Sequence, residues 1–294
     1  SRPVVQQDAI TQIFLRDNFM EITRGRIGHS FELFNGFFIG TELEYNQRRS
    51  VRDYTFITSL DSLVSNQNVL DFEPYNSLLF DVQLSYTPGQ KYMREPYRKL
   101  ILGSKFPTFY LYYEKGVNNF LGSEVDHNYI TFGMRQTLRA GTLGSTRYNA
   151  QAGTFFNSSI FREPDMKYHR RSDLFWFSSP MWTFQGLREN YPTTQMFYEF
   201  HVEHNFYSGL INKIPFMKKT RINSLAGAGY LYVPEHNLNY HELFAGVYRD
   251  FKFIRRRLRI GIYAVYANDN FHTPFIRPKF SFAIFDDREL RFNF

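Results

Sequence analysis

The sequence predicts an all-β fold, an antiparallel transmembrane β-barrel of about 12 strands, with more strands if an upstream segment contributes. Three observations lead to this prediction: a high aromatic content, a period-two alternation of apolar and polar residues, and an alternation of short and long connections. Together they favour a membrane protein over a water-soluble globule.

Aromatic rings are abundant in a chain that is hydrophilic on average. Phe and Tyr number 33 and 21 among 294 residues, yet the mean hydropathy is −0.42. A barrel accommodates both facts, because alternate residues face lipid and a wet lumen and rings gather at the interfaces. No run approaches the ~20 apolar residues of a membrane-spanning helix, which excludes insertion as a helix. A soluble β-sandwich is the alternative that composition leaves open.

The period-two alternation assigns side chains to the two faces of the predicted strands. Between Leu78 and Tyr86, apolar residues at even positions alternate with mostly polar residues at odd positions. Successive side chains of a strand point to opposite faces, so one face would contact lipid and the other water. The residues predicted to face lipid are Phe80, Val82, Leu84, Phe200, Val202, Ile260 and Ile262. The residues predicted to face the lumen are Asp81, Gln83, Glu199, His201 and Glu203.

About eleven segments show this alternation. They lie near 18–26, 36–48, 77–87, 106–117, 127–139, 146–157, 194–206, 220–233, 239–252, 256–267 and 277–294. Single-chain bacterial barrels have even strand numbers, so we expect about twelve strands, one of them unrecognised. Most segments are about 9–14 residues long, which suits a tilted strand crossing a bilayer and exceeds the usual length of soluble strands.

The connections between these segments alternate in length. Residues 140–145 and 253–255 form tight turns, and 234–238 forms a short external loop. The long connections are 49–76, 118–126, 158–193 and 268–276. Short periplasmic turns and long external loops are typical of outer-membrane barrels. Residues 1–16 fit no strand and would form a linker or plug, and residues 17–294 would form the barrel.

The end of the chain keeps one apolar register. Phe280 and Phe282 are followed at even positions by Leu290, Phe292 and Phe294, which predicts one long terminal strand. A chain that ends in alternating aromatic residues resembles the C-terminal signal of outer-membrane barrels. We therefore predict that Leu290, Phe292 and Phe294 form a signal read by the barrel-assembly machinery.

The run from Glu203 to Lys219 contains Asn212-Lys213-Ile214-Pro215 followed by Lys218-Lys219. This run resembles the F-x-G-x-x-x-N-K-I-P-x-x-K-K segment of a family of Bacteroidetes outer-membrane proteins, with Tyr207-Ser208 where that family has Asn-Gly. Those proteins carry a carboxypeptidase-regulatory-like N-terminal domain and a C-terminal barrel domain of unknown function. The resemblance implies that most of this chain is the barrel portion, and it transfers no site residues.

No residue pattern predicts catalysis, a cofactor or a metal site. Glu199, His201 and Glu203 are the best metal-like cluster, with His204 beside them. However, residues i and i+4 of a strand lie roughly 14 Å apart, so a polar lumen network is the better interpretation. The chain has no cysteine, and Gly-x-Ser-x-Gly does not occur. We therefore expect no enzyme.

The net charge of +7 is spread over turns and strand ends, and its densest cluster is Arg255-Arg256-Arg257 with Arg259. Such arginines suit lipid headgroups and lipopolysaccharide phosphates, while a specific polyanion site is the alternative. The expected location is the bacterial outer membrane. The expected partners are its lipid and lipopolysaccharide, the barrel-assembly machinery and other outer-membrane proteins in a complex, but not nucleic acid.

Two functions fit these expectations. The first is a structural or accessory subunit of a larger outer-membrane complex in biogenesis or export. It follows from a crowded lumen, which inward aromatic residues would fill, namely Tyr110, Tyr112, Phe244 and Tyr248. The alternative is a passive or substrate-binding pore, which the polar residues Asp81, Gln83, Glu199 and Glu203 favour.

Overall fold

The computed structural model describes residues 20–50, 72–96, 98–215, 217–253 and 256–286. Thirteen β-strands lie in these ranges. Their bounds are β1 Met20–Phe34, β2 Phe37–Ser50, β3 Tyr75–Tyr86, β4 Lys91–Glu95, β5 Arg98–Gly103, β6 Thr108–Gly116, β7 Asp126–Arg139, β8 Ser145–Ile160, β9 Phe197–Tyr207, β10 Asn223–Val233, β11 Leu238–Phe253, β12 Arg256–Asp269 and β13 Phe275–Asp286. None of the helices in the described ranges is long and apolar enough to cross a membrane.

Eleven strands form one antiparallel sheet in the order β1-β2-β3-β6-β7-β8-β9-β10-β11-β12-β13, which we call the main sheet. Each strand pairs with its neighbours along the chain, except that the separate hairpin β4–β5 lies between β3 and β6. The predicted all-β antiparallel fold is confirmed. Each of the eleven predicted segments overlaps one strand of the main sheet, so the described residues hold one strand fewer in that sheet than expected. The hairpin was not predicted, because its strands of 5 and 6 residues are too short to show alternation.

The predicted closure of the sheet into a barrel is not observed. Among the strands of the described residues, β1 pairs with β2 alone and β13 pairs with β12 alone. Two features of β13 oppose pairing with β1. The backbone of Phe280 is hydrogen-bonded to Phe175 and Phe177, which belong to the connection between β8 and β9. Pro278 has no backbone N–H to donate.

The two faces of the main sheet differ in the side chains that they carry, since the face that we call inner has buried carboxylates beside a buried apolar cluster with Phe197, Leu231 and Tyr240, and the outer face has exposed apolar side chains. On the inner face, Glu44, Glu114 and Glu242 are only 2%, 3% and 0% exposed. On the outer face, Ile27 and Ile262 are 73% and 55% exposed. Carboxylates are therefore enclosed on the inner face, and large apolar side chains are displayed on the outer face.

The residues predicted to face lipid and those predicted to face a lumen lie on opposite faces of the main sheet. The seven residues predicted to face lipid, with Val82 and Ile262 among them, share the outer face. The five predicted to face the lumen, with Asp81 and Glu199 among them, share the inner face. Contact with lipid stays a prediction.

The tight turn between β7 and β8 is formed as the sequence predicts. Gly144 has a φ of +112°, a region that favours glycine. A Cβ at this position would lie 2.1 Å from the backbone oxygen of Asn205. Both the conformation and the close approach of the chains therefore require glycine at the start of β8.

Candidate functional site

The connection between β8 and β9 covers the inner face of the main sheet. We call residues 161–196 the inner segment. Its groups are bonded to, or packed on, inward side chains of β2, β3, β9, β11, β12 and β13. The connection predicted at 158–193 therefore packs on the sheet, and its position on the outer side of a membrane stays a prediction. Inward side chains of the sheet satisfy the polar groups of the segment, a role that water plays for an external loop.

A buried ion pair joins the beginning of the inner segment to β2 and β3. The side chains of Arg48 and Asp165 form a salt bridge and are 4% and 2% exposed. The hydroxyl of Tyr75 donates to Asp165 at 2.9 Å and accepts from Arg48 at 2.8 Å. Separating a buried pair leaves an uncompensated charge, so the pair holds this part of the segment in one place.

A second polar contact lies on β9. His169 of the inner segment is hydrogen-bonded through Nδ1 to Oε1 of Glu199, and its Nε2 lies 3.3 Å from Oγ1 of Thr193. Burial lowers the pKa of His169, and the carboxylate of Glu199 only partly opposes this effect. A neutral imidazole with its proton on Nδ1 still donates to Glu199, so the contact does not require a charged histidine.

The carboxylate of Glu242 on β11 binds the backbone of the inner segment. The N–H groups of Gln185 and Gly186 donate to its Oε2 at 2.7 and 2.9 Å, and the hydroxyl of Tyr240 donates to the same atom at 2.5 Å. A Cβ on Gly186 would lie 2.3 Å from Cβ of Ala267. The absence of a side chain at position 186 thus allows the backbone to reach Glu242.

Aromatic rings fill the space between these polar contacts. The ring of Phe177 stacks on Tyr263 with centroids 3.8 Å apart and meets Phe244 edge-on at 5.4 Å. The ring of Phe184 lies 4.4 Å from that of His201. Such ring pairs add about 0.5–1.5 kcal/mol each beyond the burial of their area. Phe244, which was predicted to point inward, therefore helps to fix the segment.

The inner segment also reaches the last strand of the sheet. The ammonium of Lys279, a residue that is 2% exposed, donates to Oγ of Ser172 at 3.0 Å and to the backbone oxygens of Asp173 and Trp176. Since the Arg48 pair lies on β2 and Lys279 lies on β13, the segment extends across the inner face from one side of the main sheet to the other.

The residues predicted as a polar lumen network have separate partners. Glu199 binds the inner segment, and Oε1 of Glu203 accepts from Nε of Arg147 at 2.6 Å. His201 contacts a phenylalanine ring, and His204 lies on the outer face. In the part of the chain that the structure describes, no group of three or more His, Cys, Asp or Glu is placed to hold a metal ion. The arrangement binds a segment of the protein itself.

Several residues that fix the inner segment were not predicted from the sequence, namely Arg48, Asp165, His169, Glu242 and Lys279. Lys279 has a usable signal, because it stands at an inward position of β13, where a buried ammonium needs partners. Asp165 has no comparable signal, since it lies in a connection without alternation.

The predicted assembly-signal residues Leu290, Phe292 and Phe294, and the predicted linker or plug at 1–16, lie outside the described residues.

A family model matches most of the chain. It is described as the C-terminal domain of a family of unknown function (DUF5686), and it covers residues 4–247. The chain belongs to this family. The DUF5686 match includes the whole inner segment and the strands from β1 to most of β11. The resemblance to a C-terminal domain of unknown function is thereby confirmed, whereas the bacterial group and the N-terminal neighbour stay predictions. No curated protein and no solved structure matches the DUF5686 chain.

Proposed function

We propose that the DUF5686 chain is an outer-membrane β-barrel protein whose strands cross the bilayer. The exposed apolar outer face and the enclosed polar inner face support this location, because lipid would cover the first and the lumen would contain the second. An unpaired strand edge is costly in lipid. We therefore also propose that, in the membrane, the free edges of β1 and β13 are paired with another strand or covered.

Within that membrane, the chain would act as a structural or accessory subunit of a larger complex in biogenesis or export, without enzymatic activity. The occupied inner face carries this proposal. Two polar residues that would line a pore already have hydrogen-bond partners within the protein. Glu199 binds His169 of the inner segment, and Asp81 accepts from the hydroxyl of Tyr112 at 2.7 Å. A segment that is anchored across the inner face from β2 to β13 suits a scaffold better than a channel.

Conductance separates this role from the alternative of a passive or substrate-binding pore. In a planar bilayer, the purified protein should show no stable openings, because the inner segment is anchored from β2 to β13. A variant in which a short Gly-Ser linker replaces residues 164–192 should conduct and serves as the matched control. Large, stable openings of the unaltered protein would contradict the scaffold role and favour the pore.

Co-purification tests membership of a complex. The tagged protein, extracted in mild detergent and analysed by mass spectrometry, should recover other outer-membrane proteins in fixed proportion. An unrelated tagged barrel of the same cells provides the background. Components of the barrel-assembly machinery, lipid and lipopolysaccharide are further proposed partners, and each should be enriched over this background. Recovery of the protein alone would contradict the proposed role.

A further inference from the structure

The connection between β9 and β10, residues 208–222, is strongly basic, and we call it the basic segment. It contains four cations and no acidic residue, and it includes the Asn-Lys-Ile-Pro run noted in the sequence. The cations are Lys213, Lys218, Lys219 and Arg221, and all four are exposed. Among the described residues, no carboxylate forms an ion pair with any of them. These cations are therefore available to a ligand outside the chain.

The basic segment also displays apolar side chains beside its cations. Leu210 and Ile214 are 45% and 50% exposed. The backbone around them is hydrogen-bonded within the segment, since N–H of Lys213 donates to the oxygen of Leu210 at 3.2 Å and N–H of Ile214 donates to that of Ile211 at 3.1 Å. The segment thus has a compact local fold that needs no partner strand. Exposed apolar side chains among Lys and Arg are typical of protein segments that lie at the surface of a bilayer.

The basic segment lies beside the tight turn 140–144, at the edge of the outer face. A Cβ on Gly209 would lie 3.4 Å from the backbone oxygen of Thr142 in that turn. Nε2 of His204, which is on the outer face, is hydrogen-bonded to the backbone oxygen of Leu143 at 2.9 Å. The side chain of Leu143 is 72% exposed. The exposed apolar surface therefore continues from the outer face to the basic segment.

The two ends of the main sheet differ in charge. Because neighbouring strands are antiparallel, the connection 87–107 lies at the same end as the basic segment, and it carries five Lys and Arg residues and one Glu. At the opposite end, the connections 117–125, 234–237 and 270–274 contain two acidic residues and no Lys or Arg. Lys and Arg close to an anionic bilayer surface are attracted to it. The basic segment therefore has the charge and the apolar side chains that suit an anionic phospholipid.

We propose that the basic segment lies in the headgroup region of the bilayer and binds anionic phospholipid. Its four cations bind the phosphates, and the side chains of Leu210 and Ile214 contact the acyl chains just below them. The inference rests on the proposed location in a membrane, and it adds which end of the main sheet holds an anionic lipid. Because the attraction is electrostatic, it selects a negatively charged headgroup over a zwitterionic one.

Quenching of a fluorescent label by nitroxide-labelled lipid tests this inference. Because the chain has no cysteine, Ile214→Cys places a single label in the basic segment of the protein folded into mixed vesicles of phosphatidylcholine and phosphatidylglycerol. Nitroxide-labelled phosphatidylglycerol should quench this label about threefold or more strongly than nitroxide-labelled phosphatidylcholine at the same mole fraction. The preference should decrease at high salt, because salt screens the attraction between charges.

Two further proteins provide the controls. Replacement of all four cations of the basic segment by Gln, in the Ile214→Cys protein, should remove the preference for phosphatidylglycerol. Phe120→Cys places the label at the opposite end of the main sheet, where the side chain is 58% exposed and the connection has no cation. A label at this position should show no preference. A preference that persisted without the four cations, or that was equal at the two ends, would overturn the inference.

A label introduced by Val82→Cys separates this inference from the proposed membrane location. Position 82 lies on the outer face of β3, so both nitroxide lipids should quench the label there. Quenching at position 82 together with equal quenching of position 214 by the two lipids, or with none at position 214, would overturn the inference and leave the location standing. Absence of quenching at position 82 would contradict the membrane location itself, and the inference would fall with it.

Discussion

Asp165→Asn should lower the free energy of unfolding by about 3–5 kcal/mol, because the guanidinium of Arg48 would stay buried without the carboxylate that it now faces. Asparagine keeps the shape of the side chain and can still accept a hydrogen bond from Tyr75. The loss of stability therefore measures the effect of removing the charge. Urea unfolding in detergent micelles measures it. Both tryptophans of the chain, Trp176 and Trp182, lie in the inner segment, so their fluorescence reports release of this segment.

The pair of Lys115 and Asp126 provides the control for this experiment. Its charged atoms are 2.9 Å apart, but its side chains are 34% and 30% exposed. Asp126→Asn should therefore cost at most about 1 kcal/mol. The double change Arg48→Met with Asp165→Leu should recover much of the loss, because replacing a whole buried pair with apolar residues is often neutral. Equal losses in Asp165→Asn and Asp126→Asn would show that the buried pair does not hold the segment.

Val82→Arg should strongly impair folding into lipid vesicles, whereas Gln83→Arg should have a much smaller effect. The two positions are adjacent on β3 and lie on opposite faces of the main sheet. Arginine on the lipid face at the bilayer midplane costs roughly 2–4 kcal/mol in a barrel, and on the lumen face it can stay in water. The fraction of heat-modifiable, folded protein on a gel after mixing with phosphatidylcholine vesicles measures the difference.

The same comparison can be made in detergent micelles without a bilayer. In micelles, Val82→Arg should impair folding less than it does in vesicles, because an arginine side chain reaches water more easily from a micelle than from the centre of a bilayer. If Val82→Arg and Gln83→Arg folded equally well in vesicles, the outer face of the main sheet would not be the lipid-facing surface.

The eleven strands of the main sheet could be predicted because alternation is a property of residues that are close together in the chain. The outward position of Val82 and the inward position of Asp81 follow from the pleat of β3 alone. The same pattern located β13, although Lys279 was not singled out on it. It did not locate the hairpin β4–β5, whose strands are too short for the pattern to be read.

The sequence by itself determined the fold class, the strand positions and the side of the sheet on which each strand residue lies, since these depend on local periodicity. The tertiary structure alone decided what occupies the inner face and the edge of β13. The contact of Arg48 with Asp165 joins residues 117 positions apart, and that of Lys279 with Ser172 joins residues 107 positions apart. Such pairs form only when the whole sheet brings them together, because nothing in the sequence near either residue specifies its partner.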